Sequence, residues 1–225
     1  GMKLIEEMKK QNLIETKKLE KEDIEKIIDE QGHEIAMIMI GGNNFYTGQK
    51  FDMARITKKG HDKGCIVGFD LAHSVGNVEL ELHDWGVDFA CWCPYKYLNS
   101  GPGGLGAIFV HEKHHGEKIP LPRLMGWWAN KPSSRFEMRH VIDAFTTAEA
   151  WQMSNPPVFS LVPVRVSLDI FMEAGMENIF RKSRQLTGYM EFLFDSLDTD
   201  QFKIITPRDP EQRGAQLSIV VKEDG

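Results

Sequence analysis

Apolar and charged positions in the first thirty residues follow a helical period. In LEKEDIEKIID, Leu19, Ile24, Ile27 and Ile28 share one face among charged neighbours, so residues 2–30 read as charged amphipathic helix. The period then changes. EIAMIMI (34–40) is an apolar run of strand length, FDMARITKKGHDKG (51–64) returns to helical spacing and closes on glycine, and CIVGFD (65–70) is a second buried strand. That order predicts a β-α-β unit. A polar loop, the short strand VDFAC (87–91), a segment around Lys96 and the strand LGAIFV (105–110) come next. After Pro120 the chain runs through RLMGWWANKPSSRF, a loop too aromatic to be a plain linker. Residues 158–197 are helical again, with VSLDIFMEAG ending on Gly175 and an apolar stripe in IFRKSRQLTGYMEFLFDSL; QLSIVVKEDG opens another strand. No internal repeat or low-complexity segment interrupts this order. Strands alternating with helices predict an α/β fold with a parallel, helix-covered sheet, whose ligands gather at the strand carboxyl ends.

Composition narrows the picture. The 225 residues are 41% apolar, enough to bury a sizeable core. A formal charge of −6 and the lack of a basic stripe exclude a nucleic-acid surface and leave small molecules or proteins as partners. The longest apolar run, Ile35 to Ile40, is far short of the roughly 20 residues of a membrane helix. With no apolar signal core at the start of the chain, no membrane role and a cytoplasmic location are expected. Cys65, Cys91 and Cys93 make an odd count, which fits reduced thiols better than a disulfide framework.

Lys96 stands out because, from Cys91 to Val110, it is the sole ionisable group apart from its flanking tyrosines and the cysteine thiols. Asp70 and Lys96 both lie at or just past a predicted strand end, so both can face one crevice. Pyridoxal 5′-phosphate (PLP) uses this pair: a lysine amine for its aldehyde and a carboxylate for its protonated ring nitrogen. His73, three residues after Asp70, falls on the same side if a helical turn follows. The spacing alone also fits a helix-capping Asp70, a core His73 and a packing Tyr95.

A longer pattern separates these readings. FYTGQ, the stretch GFDLAHSVGNVELELHDWGVDFACWCPYKYLNSGPGG (68–104), MGWW and SNPP closely resemble kynureninases, PLP enzymes of the aspartate-aminotransferase fold type, from about Ile35 to the end of the chain. The resemblance implies a three-layer α/β/α large domain over residues 1–155, with 156–225 as a long helical region and the start of a smaller C-terminal domain. It implies hydrolysis of L-kynurenine or 3-hydroxykynurenine to anthranilate or 3-hydroxyanthranilate plus L-alanine, a step of tryptophan catabolism and NAD biosynthesis. Lys96 would be the Schiff-base lysine and proton shuttle. Asp70 would pair with the pyridine nitrogen, His73 would sit beside the cofactor, and Tyr95 would contact the phosphate and act in proton transfer. Trp127 and Asn155 would reach the phosphate of a neighbouring subunit, implying a homodimer with shared active sites.

The departures are equally specific. Gly41 stands where relatives place a small hydroxyl residue that holds the cofactor. The family's phosphate-binding loop, its ring-stacking aromatic and its substrate-carboxylate arginine have no counterpart here. Gly1 before Met2 looks like a tag remnant. The resemblance thus covers about half of a full enzyme, so a non-catalytic fragment or pseudoenzyme, or a related class V aminotransferase-like PLP enzyme, remains the alternative. Two smaller motifs carry less. Cys91 and Cys93 in CWC lack a second ligand pair, and HEKHH (111–115) satisfies the zinc-protease pattern but follows a strand and is closed by Gly116, where a helix interior is required.

Overall fold

The computed structural model describes residues 21–116, 124–197 and 199–222. The first helix, α1 (Lys21–Gln31), is followed by strand β1 (Met37–Gly41), helix α2 (Met53–Asp62) and strands β2 (Ile66–Asp70), β3 (Phe89–Trp92) and β4 (Ala107–Val110). Helices α3 (Val158–Ala174) and α4 (Met176–Asp195) and the short strands β5 (Phe202–Ile204) and β6 (Ile219–Val221) complete the described chain. The part of the expected first helix before residue 21, including Leu19, lies outside the described residues. Within α1 the apolar face is narrower than expected: Ile28 is buried and Ile24 packs beside it, while Ile27 is 47% exposed.

The four-stranded sheet runs in the order β1-β2-β3-β4, and β1, β2 and β3 are mutually parallel. The crossover between β1 and β2 is α2, capped by Asp52, whose side chain accepts from Arg55 N at 3.1 Å. It stops where Gly64 adopts φ 83, a conformation that suits glycine. β4 departs from the parallel expectation and pairs antiparallel to β3. No helix separates these two strands, and without a helical crossover the chain returns along the strand it has just left.

Register sorts the sheet's side chains onto two faces, because cross-strand partners point the same way. Ile38, Val67, Phe69 and Ala90 belong to one face and form the core with Ile28, Met53 and Ile56 of the two helices. The other face carries Met37 and Met39, Gly68 and Asp70, Phe89 and Cys91, and Ile108. Gly68 is required there: a Cβ on it would sit 2.3 Å from the Phe89 ring, which lies across the strand.

The helical region expected over 158–197 forms two helices that meet at Gly175, φ 76, where the first was expected to end. The expected domain boundary near residue 155 falls just before α3. β5, not foreseen from the sequence, pairs antiparallel with β6. Between them, residues 212–218 return to the loops after β1 and β2: Lys50 N donates to Gln212 O (2.8 Å), Ala215 N to Asn77 Oδ1 (2.8 Å) and Gln216 Nε2 to Phe45 O (2.8 Å).

Candidate functional site

Asp70 is the last residue of β2 and is exposed, with Oδ1 accepting from Ala72 N at 2.9 Å. That bond starts a helical turn in which Ser74 N and Val75 N donate to Leu71 O at 2.9 and 3.0 Å. The turn places His73 at the carboxyl ends of the strands. Lys96 reaches the same place from the loop after β3, and its Nζ lies 2.9 Å from His73 Nε2.

An ammonium can only donate, so Nε2 accepts and the ring proton is left on Nδ1. His73 Nδ1 is buried and has no hydrogen-bond partner among the described residues. Burial first, and then the Lys96 charge, push the His73 pKa below its ordinary value, with Asp70 opposing. The imidazole is therefore neutral at neutral pH. Tyr97 meets the His73 ring edge-on, centroids 6.2 Å apart, and burial pushes its phenol pKa up.

Tyr95 is half exposed, and its ring centroid is 6.0 Å from Lys96 Nζ. Its hydrogen bond with Cys93 raises the phenol pKa, so Tyr95 keeps its proton. Cys91 pairs in register with Asp70, and burial followed by the Asp70 charge pushes its thiol pKa up. Asp70, His73, Tyr95 and Lys96 are thus brought together by two adjacent parallel strands. Sequence reasoning missed Tyr97 and Cys91 as neighbours of this group; Cys91 could have been found by pairing the two predicted strands at their carboxyl ends.

Trp127 and Asn155 are placed elsewhere. The indole Nε1 of Trp127 donates to Arg135 O at 2.9 Å, and its ring packs edge-on against Phe136 at 5.4 Å. Asn155 Oδ1 accepts from Ser154 Oγ at 3.2 Å on an exposed segment. No hydrogen bond or ring contact among the described residues joins either to Asp70, His73 or Lys96. The surface hollow lined by Lys50, Asn77, Arg184, Glu211 and Arg213 does not include the Lys96 group either.

HEKHH forms a three-residue 3-10 turn, Glu112–His114, and its histidines point to different partners. His111 Nε2 lies 3.2 Å from His83 O, His114 Nε2 donates to Asp88 Oδ1 at 2.7 Å, and His115 Nε2 lies 3.1 Å from Val110 O. The helical geometry that would aim two imidazoles at one ion is not formed.

Residues 5–224 match the family described as Aminotransferase class-V. The chain is 55% identical over 201 residues to a kynureninase of Myxococcus xanthus and 48% identical over 212 residues to one of Nematostella vectensis, in each case 89% of this chain. It spans about half the length of these curated relatives, 47% and 45%. Among solved structures, a cysteine desulfurase from Thermococcus onnurineus NA1 superposes with a TM-score of 0.68 at 18% identity, covering 90% of this chain and 47% of that one. An alanine–glyoxylate aminotransferase from Nostoc sp. gives 0.59 at 15% identity, covering 90% and 50%. At such identities the likeness speaks for the fold.

Proposed function

The chain belongs to the class-V aminotransferase family, and we propose on that premise that its parent protein is a kynureninase. The reaction is hydrolytic cleavage of the Cβ–Cγ bond of L-kynurenine or 3-hydroxykynurenine, giving anthranilate or 3-hydroxyanthranilate and L-alanine. The observation that carries this reading is the 2.9 Å Lys96–His73 pair beside Asp70, in a chain 55% identical to a kynureninase over 89% of its length.

These residues fit PLP. Lys96 offers an amine for its aldehyde, Asp70 offers an exposed carboxylate for a protonated ring nitrogen, and the buried, unpartnered His73 Nδ1 marks a polar position that a bound group would complete. When bound, PLP supplies an electron sink next to the substrate amino group. Lys96 then holds and moves a proton at Nζ. His73, neutral because it is desolvated, accepts from that nitrogen without competing for the proton. Asp70 stays within reach of the crevice because its turn with Ala72 fixes the carboxylate at the strand end. Tyr95 keeps its phenolic proton and can donate a hydrogen bond to a phosphate.

Trp127 and Asn155 enter as groups lent to a second copy, in a cytoplasmic homodimer with shared sites. For Trp127 to donate to a phosphate, its present bond to Arg135 O must be exchanged. The test is parent protein with PLP and L-kynurenine, with anthranilate followed by fluorescence and L-alanine by amino-acid analysis. Equal release of both is expected. A PLP-loaded parent that releases sulfur from cysteine and leaves kynurenine intact would replace this reading with a desulfurase-like one.

Met37, Met39 and Ile108 on one sheet face, and Phe159 and Met172 on α3, are 49% to 93% exposed. With so much apolar surface uncovered on the sheet and α3, the isolated chain is expected to bind PLP weakly and to give no measurable turnover.

A further inference from the structure

Helix α3 is apolar nearly all round, yet the one residue it buries among the described residues is a serine. Ser167 is 7% exposed, between Val166 at 53% and Leu168 at 40%. Its hydroxyl donates to the carbonyl of Leu98, across 69 residues of chain. A polar group taken out of water needs such a partner, and here the partner belongs to the loop that carries Lys96.

Leu98 sits inside the turn that presents the lysine. Asn99 N donates to Lys96 O at 3.1 Å, Ser100 N donates to Pro94 O at 3.2 Å, and Asn99 is left-handed at φ 56. A non-glycine residue in that region persists where its surroundings fix the adjoining peptides. The Ser167 bond fixes the peptide just before Asn99. On the opposite side, Leu98 and Tyr97 press on the turn that carries His73: a Cβ on Gly76, φ 80, would lie 3.1 Å from the Leu98 side chain and from the Tyr97 backbone. Leu98 is therefore wedged between α3 and the His73 turn.

We infer that Ser167 is a positioning residue for Lys96: through this hydroxyl, α3 holds the lysine loop against the His73 turn and sets the approach of Lys96 Nζ to His73 Nε2. Its catalytic consequence rests on the kynureninase reading, whereas the positioning itself does not.

The test uses the parent protein freed of PLP. Lys96 is acetylated with acetic anhydride across a range of pH and its peptide is quantified by mass spectrometry, with Lys50 as an internal reference. Ser167→Ala is expected to raise the Lys96 labelling rate relative to Lys50 at least about threefold, within what loss of one hydrogen bond can produce, and to shift its pH profile. Ser167→Thr, which keeps the hydroxyl, should restore both. Gly76→Ala pushes the same wedge from the other side and should move Lys96 labelling too, so the inference stays testable if Ser167→Ala fails to fold. Unchanged labelling in the folded variants, or equal loosening of Lys96 and Lys50, would overturn it. Failure of the wild-type parent to cleave kynurenine would remove the functional proposal and leave this result standing.

Discussion

On one face of the sheet Ile38, Val67, Phe69 and Ala90 are at most 8% exposed, packed with Ile28, Met53 and Ile56. On the other, Met37, Met39 and Ile108 are 51%, 52% and 49% exposed, and Asp70 and Cys91 pair in register. Parallel strands are normally buried on both sides, so a bare face on parallel β1 is out of keeping with the sheet's own architecture. The covered face supplies cohesion. The strand ends beside the bare face hold the groups proposed to do the chemistry. Substitutions on the two sides should therefore fail in different ways.

The largest effects belong to the strand ends. Lys96→Ala in the parent enzyme should abolish both kynurenine cleavage and borohydride-fixed PLP, with the urea midpoint unchanged, because the half-buried amine contributes little to packing. Borohydride-fixed PLP surviving in that variant would sink the assignment. Asp70→Asn should leave PLP attached yet lower kcat by about a hundredfold or more, since a neutral amide no longer favours the protonated ring nitrogen. Near-normal turnover would remove Asp70 from its role.

The covered face responds in stability instead. Phe69 is fully buried, and Phe69→Ala should cost about 3–5 kcal/mol by leaving a cavity between the sheet and its helices. Urea denaturation of the 225-residue chain measures it; a loss below about 1 kcal/mol would mean that this face is not the core.

The sheet also differs along its strands, from the Lys96 end to the opposite one. Asp88, 4% exposed just before β3, accepts from Val67 N at 2.7 Å, His61 Nε2 at 2.8 Å, His114 Nε2 at 2.7 Å and Lys113 Nζ at 2.6 Å. Burial alone would raise its pKa, but Lys113, the Val67 amide and the two histidines together hold it well below the ordinary carboxylate range. The fold thus favours the charged form. Its contribution is fully present above the unfolded-state pKa of about 3.9 and is lost as pH falls below that. Asp88→Asn should cost about 3 kcal/mol near neutral pH. The gap between wild type and variant should narrow at about pH 3; a gap that widens on acidification would contradict the assignment.

The sequence made much of this legible for identifiable reasons. Apolar runs at 34–40 and 65–70 bracket a helical period, and that was enough for the β-α-β unit, while the isolation of Lys96 between tyrosines singled it out before any coordinates. Direction was harder. LGAIFV reads as a strand, but its antiparallel pairing depends on the lack of a helix after β3, a property of the connection. β5 was hidden because FKI is three residues long, too short to show alternation. Ile27 shows the limit of a helical stripe: it lies three residues after Ile24 and still faces solvent, because α1 packs against α2 along a narrower line. The Ser167–Leu98 bond was out of reach altogether, since a serine in an apolar helix carries no sign of a partner 69 residues away.

The smallest effect probes the bare face most directly. Met39 lies on β1 at 52% exposure, so in the 225-residue chain Met39→Lys can leave its ammonium in water and lay its methylenes along the strand. Its stability should change by less than about 0.5 kcal/mol. The relatives are about twice as long, and a parallel sheet in a complete enzyme needs its second face covered. In the parent protein the same lysine would be buried beneath that added layer without a partner, and should cost several kcal/mol or prevent folding. The isolated chain should also associate through this face and α3, and Met39→Lys should reduce that association in sedimentation. A substitution equally silent in both proteins would mean that the face remains open in the whole enzyme, and that the difference between the two sides of the sheet belongs to the fold itself.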